Sequence, residues 1–200
     1  MTNFIDNTLT VFGPKQDVET FVQRARADAD TPFSLNRLVP MPVELYVPPL
    51  YYGTGDLIIS SQREISSQRE RTQLEETNLA KFGSKDWYDW RNENWGTKWE
   101  ADQGSLQKYG PLEDDSLQRA LARYSFRTAN GTPVKALYKV TREIPALAFF
   151  LRWSDGTWHE WGYLCGTNGF VIARDEMDQS EFHSYLCNLQ MPSRAPKSRD

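Results

Sequence analysis

From Asn7 to Gly13 the chain alternates, with Leu9 and Val11 on one side and Thr8, Thr10 and Phe12 on the other, the period of a half-buried strand. Gly13 closes it, and Pro14 fits the first turn of a helix, where a missing N–H costs nothing. Val18, Phe21, Val22 and Ala25 then recur at helical spacing as one apolar stripe. The same strand-then-helix order returns further on. Tyr124, Phe126 and Thr128 alternate with Ser125 and Arg127, Thr132 and Pro133 supply a cap and a first-turn proline, and Val134, Leu137, Tyr138 and Thr141 form the next stripe. Ala148 to Trp153 and Trp158 to Leu164 read as a hairpin across Ser154-Asp155-Gly156-Thr157, and Thr167-Asn168-Gly169 turns the chain again before Phe170 to Ala173. Glu181 to Leu189, carrying Phe182, Tyr185, Leu186 and Leu189, closes the pattern as a helix.

Between the two units the pattern is broken. Thr31 to Pro49 holds five prolines, which favour extended backbone and predict a segment wrapping the surface. Ile59 to Glu64 is repeated without change by Ile65 to Glu70, a polar duplication that reads as a helix start or a loop. Arg69 to Lys81 favours helix, Gly83 stops it, and Ser84 caps a new helix near Lys85. These elements predict an α+β fold: a ferredoxin-like antiparallel sheet with helices on one face and a largely helical insertion. One domain spans residues 1–190 with the insertion at about 40–111, and residues 191–200 form a disordered tail.

Composition narrows the class. A chain of 200 residues, 39% hydrophobic and 13% aromatic, buries a core without disulfide or metal staples. The net charge of -4 excludes the global basic footprint of nonspecific duplex binders and falls short of an acidic nucleic-acid mimic. Two cysteines, Cys165 and Cys187, with no secretory leader and no apolar run near the roughly 20 residues that span a bilayer, predict reduced thiols in a cytoplasm and no membrane partner.

Lys81 to Ala101 reads Lys-Phe-Gly-Ser-Lys-Asp-Trp-Tyr-Asp-Trp-Arg-Asn-Glu-Asn-Trp-Gly-Thr-Lys-Trp-Glu-Ala, and this stretch resembles the signature of YubB-type proteins of conjugative plasmids and phages. The similarity extends through Asn7 to Gly13, Pro40 to Leu45 and Tyr124 to Ala129, so it covers most of the chain. It implies a ferredoxin-like domain from a mobile element in a bacterial cell, with a host or mobile-element protein as partner, and it carries no established activity to transfer. Asn130-Gly131, where relatives tend to carry a Trp, and the Ile59 to Glu70 duplication depart from the family pattern.

Three groups of residues carry candidate chemistry. On the helix from Asp86 to Asn94, Trp87, Trp90 and Asn94 share one stripe while Asp86, Asp89 and Glu93 share another. The tryptophans read as core anchors and the acids as a solvated face near a helix N-terminus; the sharper reading is a site for a hard cation or an acid–base pair. The Trp-Gly-Thr-Lys-Trp corner offers Trp95, Lys98 and Trp99 to a partner. In the terminal hairpin one face carries Phe149, Leu151, Trp153 and Trp158, and the other carries Phe150, Arg152, His159, Trp161 and Tyr163. Two helices cover one face of such a sheet, so the second is either covered by the insertion or open as a platform that stacks single-stranded bases.

His159, His183, Cys165 and Cys187 lack zinc-like spacing, and the chain has no phosphate-binding Gly-rich loop, Gly-x-Ser-x-Gly elbow or His-Glu-x-x-His motif. No catalytic residue, cofactor or metal is therefore assigned. The expected function is a non-enzymatic protein-interaction module; single-stranded nucleic-acid binding through the aromatic sheet face is the first alternative, and a metal-assisted enzyme built on Asp86, Asp89 and Glu93 the second.

Overall fold

The N-terminal alternation forms strand β1 (Phe4–Pro14), and helix α1 (Lys15–Ala25) follows it directly, burying the expected stripe of Val18, Phe21, Val22 and Ala25. The computed structural model describes residues 3–46, 68–112, 116–155, 161–168 and 170–174. A one-turn helix α2 (Leu35–Leu38) and a 3-10 turn at Val43–Leu45 lead to α3 (Gln68–Phe82) and α4 (Trp87–Asn94). Then come the strands β2 (Asp102–Pro111) and β3 (Arg119–Ala129), helix α5 (Val134–Glu143), and the strands β4 (Ala148–Ser154), β5 (Trp161–Thr167) and β6 (Phe170–Arg174).

All six strands belong to one sheet in the order β2-β3-β1-β4-β5-β6, and every neighbouring pair is antiparallel. The chain is thus α+β, as its pattern predicts. The two strand–helix units interleave: β1 and β3 pair at the centre over their full length, with β2 outside β3 and β4 outside β1. Side-chain period 2 then sorts the residues. Leu9 and Val11 point to the same face as Tyr124 and Ala122 on β3 and Leu151 and Phe149 on β4, and α1 and α5 cover that face in one apolar core. Phe21 meets Tyr124 and Phe149 edge-on there, with ring centroids 6.1 and 5.6 Å apart.

Several expectations are corrected. The proline-rich segment does not wrap the surface: Phe33, Leu35, Leu38 and Leu45 are fully buried in the main core, and Phe33 stacks on Phe126 at 4.3 Å. Proline forbids a long helix, yet a single turn survives because Ser34 Oγ accepts the Arg37 N–H and the Glu100 carboxylate accepts the N–H groups of Leu35 and Asn36. The cap of α4 is Asp86 rather than Ser84; its carboxylate accepts from Tyr88 and Asp89, while the Ser84 hydroxyl donates to Glu93. On α5 the buried stripe is Ala136, Leu137, Val140 and Thr141, and Tyr138 is exposed, its ring facing the Arg142 guanidinium. The small residue at 136 lets the helix turn its Ala136–Val140 edge to the core.

The insertion is also shorter than expected, because residues 102–111 form the edge strand β2 of the sheet itself. Its described part meets the second sheet face only at the Phe4 end, where Trp99 packs against Phe4. Leu45, Trp90 and Trp95 of the insertion, with Phe33 and Leu38 before it, join the core on the α1 and α5 side. The Ile59 to Ser67 part of the duplication, His183, Cys187, the Glu181 to Leu189 helix and the tail lie outside the described residues.

Candidate functional site

The opposite sheet face begins with the outward positions of β1, namely Phe4, Asp6, Thr8, Thr10 and Phe12. Register places two rows of side chains across the centre of this face. One row runs Arg123 on β3, Thr10 on β1, Phe150 on β4 and Cys165 on β5; the next runs Ser125, Thr8, Arg152 and Tyr163. Phe12, Ala148, Phe150, Tyr163 and Cys165 cluster as an apolar floor at one end, and Phe150 and Tyr163 are each only 3% exposed. Beside that floor lies a cavity of about 500 Å³ lined by Thr8, Thr10, Gln107, Arg123, Ser125, Phe150 and Arg152.

The charge on this face departs from that of the whole chain. Lys108, Arg119, Arg123, Arg127 and Arg152 share it with the carboxylates of Asp6 and Asp102. Asp102 is spoken for by Arg127, 2.8 Å away, and Arg119 lies over the Phe12 ring. Among the described residues no ion pair reaches Arg123 or Arg152, and the buried Arg123 Nε has no hydrogen-bond partner. Strands β3 and β4 are two spacings apart, roughly 10 Å, and Arg123 and Arg152 line one cavity with Thr8 and Thr10 of the strand between them. Planar guanidinium forks and hydroxyl donors are the groups that bind phosphate oxygens best.

At the end of the face where β1 starts and β3 finishes lies a second cavity of about 500 Å³, lined in part by Phe4, Trp99, Tyr46, Arg91 and Arg127. Phe4 and Trp99 are both 38% exposed, and their rings are tilted against each other at 6.2 Å. Arg127 covers one side of Phe4 at 4.8 Å, and Lys98 lies 4.9 Å from the Trp99 centroid. Arg91 sits among Tyr46, Trp87 and Trp95 and donates to the Tyr46 hydroxyl at 3.0 Å.

The residues singled out from sequence are thereby divided. Trp95 is fully buried, its indole N–H donating to Val39 O at 2.8 Å, so it anchors the core. Lys98 and Trp99 stand at the accessible end of the corner, and Arg152 is exposed in the central cavity. Phe150 and Tyr163 share the second face as expected but are buried, which corrects the picture of them as a stacking platform. His159 and the Trp161 side chain lie outside the described residues. Arg123, Arg127 and Phe4 were missed, although Arg127 already stood among the outward positions of the alternating Tyr124 to Thr128 strand.

The acidic trio is absorbed locally. Asp86 caps α4, Glu93 accepts from Ser84, and burial, with the neighbouring Asp86 and Glu93 charges, pushes the Asp89 carboxyl above its ordinary value. Among the described residues no three His, Cys, Asp or Glu side chains gather as metal ligands, and no helix is long and apolar enough to cross a membrane.

No protein-family model and no curated protein match the chain. Among solved structures it is similar to the crystal structure of a protein api92 from Yersinia pseudotuberculosis, assigned to family DUF1281. The identity is 11% and the TM-score 0.47, over 89% of this chain and 99% of the other.

Proposed function

We propose that the protein is a non-enzymatic binding module that takes single-stranded nucleic acid on the second face of its sheet. The observation that carries this reading is the pair Arg123 and Arg152, two cations without carboxylate partners among the described residues, flanking Thr8, Thr10 and Ser125 in one cavity. Holding arginines together without counter-charges costs stability, and an anionic ligand offsets that cost. The Lys81 to Ala101 signature supports a YubB-type ferredoxin-like protein of a plasmid or phage, working in the bacterial cytoplasm. The interleaved order β2-β3-β1-β4 agrees with that fold. A host protein docking on the Trp95 to Trp99 corner is less well supported, because Trp95 and Thr97 are fully buried.

The test is fluorescence anisotropy of a labelled ten-nucleotide thymidine strand titrated with intact protein at low salt. Binding weakens as salt rises, with a log–log slope of about -0.7 for each phosphate contact. The Arg123→Gln, Arg152→Gln double variant loses at least tenfold in affinity and has a shallower slope. A flat titration with the wild type sinks the reading.

A further inference from the structure

We infer that the exposed ring pair Phe4–Trp99 is the base-stacking station of this face, and that one strand of nucleic acid runs along β1 and β3 from the Arg123–Arg152 cavity to Trp99. The inference rests on the nucleic-acid reading above. Phe4 occupies an outward position of β1, on the same face as Thr8 and Thr10, so rings and cavity share one surface. Aromatic side chains accept bases only where they reach the surface, and here Phe150 and Tyr163 are buried, whereas Phe4 and Trp99 are partly exposed, with Arg127 over one ring and Lys98 over the other.

The surroundings of the open rings suit a nucleotide better than an apolar peptide. Lys98 lies against Trp99 and the Asp102-paired Arg127 against Phe4, so a base entering the stack brings its phosphate near both side chains. The cavity at this end has the volume of the central one, leaving room for a base beside the rings. Between the two stations stands Arg127, ion-paired to Asp102 and opposite Asp6 in register. Thr10 to Phe4 is six residue steps of strand, about 20 Å, which an extended strand covers with on the order of four nucleotides.

The experiment uses intact protein and thymidine oligonucleotides of two to ten nucleotides, with an abasic strand of equal length as a probe for phosphate alone. Affinity rises steeply up to about four nucleotides and slowly beyond. Trp99→Leu and the abasic strand each weaken binding by about tenfold while the salt slope stays as in wild type, and Trp99→Phe restores most of the affinity. Arg152→Gln instead makes the salt slope shallower. Arg-dependent binding in which Trp99→Leu and the abasic strand are indistinguishable from the controls overturns the stacking station and leaves the nucleic-acid reading intact. Absence of binding by any strand, or competition by polyglutamate at equal charge as strong as by the oligonucleotide, overturns both.

Discussion

Gly131 lies against the backbone of Gly96: a Cβ at position 131 would fall 2.2 Å from the Gly96 carbonyl oxygen. Gly96 has φ +87°, and its own Cβ would meet Thr132 O at 2.6 Å. Around this contact Thr97 Oγ1 donates to Ala129 O, and the Lys98 N–H donates to the same carbonyl. The Trp-Gly-Thr-Lys-Trp corner is therefore a clasp between α4 and the junction of β3 with α5, and it is this clasp that sets Trp99 beside Phe4.

Gly131→Ala should lower stability by roughly 2–3 kcal/mol, because backbone blocks the new methyl from the other side. Gly83→Ala supplies the contrast: φ is +76° there but nothing lies within 4 Å, so conformational strain alone costs about 1 kcal/mol. Urea midpoints at unchanged m-value report both. Equal losses at the two sites would show that the backbone contact holds nothing.

Glu100 joins distant parts of the chain. Its carboxylate accepts from Leu35 N at 2.5 Å, Asn36 N at 2.9 Å and Ser34 Oγ at 3.1 Å, completing the start of α2 from a position 65 residues away. Glu100→Ala should cost about 2 kcal/mol, and hydrogen exchange should show Leu35 and Asn36 amides losing protection before those of β1. Unaltered protection at those amides would count against the cap.

This contact also shows where sequence reading ends. The units β1–α1 and β3–α5 were legible because one face of each strand is buried and the other open, so period 2 stands out; the register even put Phe150, Arg152 and Tyr163 on one face. Strand β2 was invisible. Asp102 to Pro111 is polar, lies at an edge, and breaks its alternation with register shifts after Asp102 and Leu106. Leu35 and Leu38 were visible as apolar residues, but the carboxylate that lets so short a helix form comes from Glu100. For the site, the outward arginine of the Tyr124 to Thr128 strand was in plain view, while its nearness to Phe4 and Trp99 depends on which strands pair.

Burial pushes the Tyr124 phenol well above the ordinary tyrosine value of 10.0, against the smaller opposing pull of the Arg26 charge. The native state then keeps a proton that the unfolded chain releases, so stability is full below pH 10 and declines above it, by up to about 1.4 kcal/mol per pH unit. Its hydroxyl has no hydrogen-bond partner among the described residues, so Tyr124→Phe should change stability at pH 7 by less than about 1 kcal/mol. Above pH 10 the variant should lose stability less steeply than the wild type. Parallel curves through that range would refute the assignment.

Lys108 on the edge strand stands opposite Arg123, a like-charge pair in direct register, which in an antiparallel sheet costs a few tenths to about 1 kcal/mol. A structure selected for stability alone would carry a carboxylate at one of these positions, as Asp102 provides for Arg127 two rows away. Lys108→Glu should therefore raise the melting temperature by about 2 °C while weakening oligonucleotide binding and reducing its salt slope by about one phosphate contact. Opposite signs for stability and binding are the signature of a face kept positive for a ligand. If the variant gained stability and bound thymidine strands as tightly as the wild type, the positive charge of β2 and β3 would have no part in recognition.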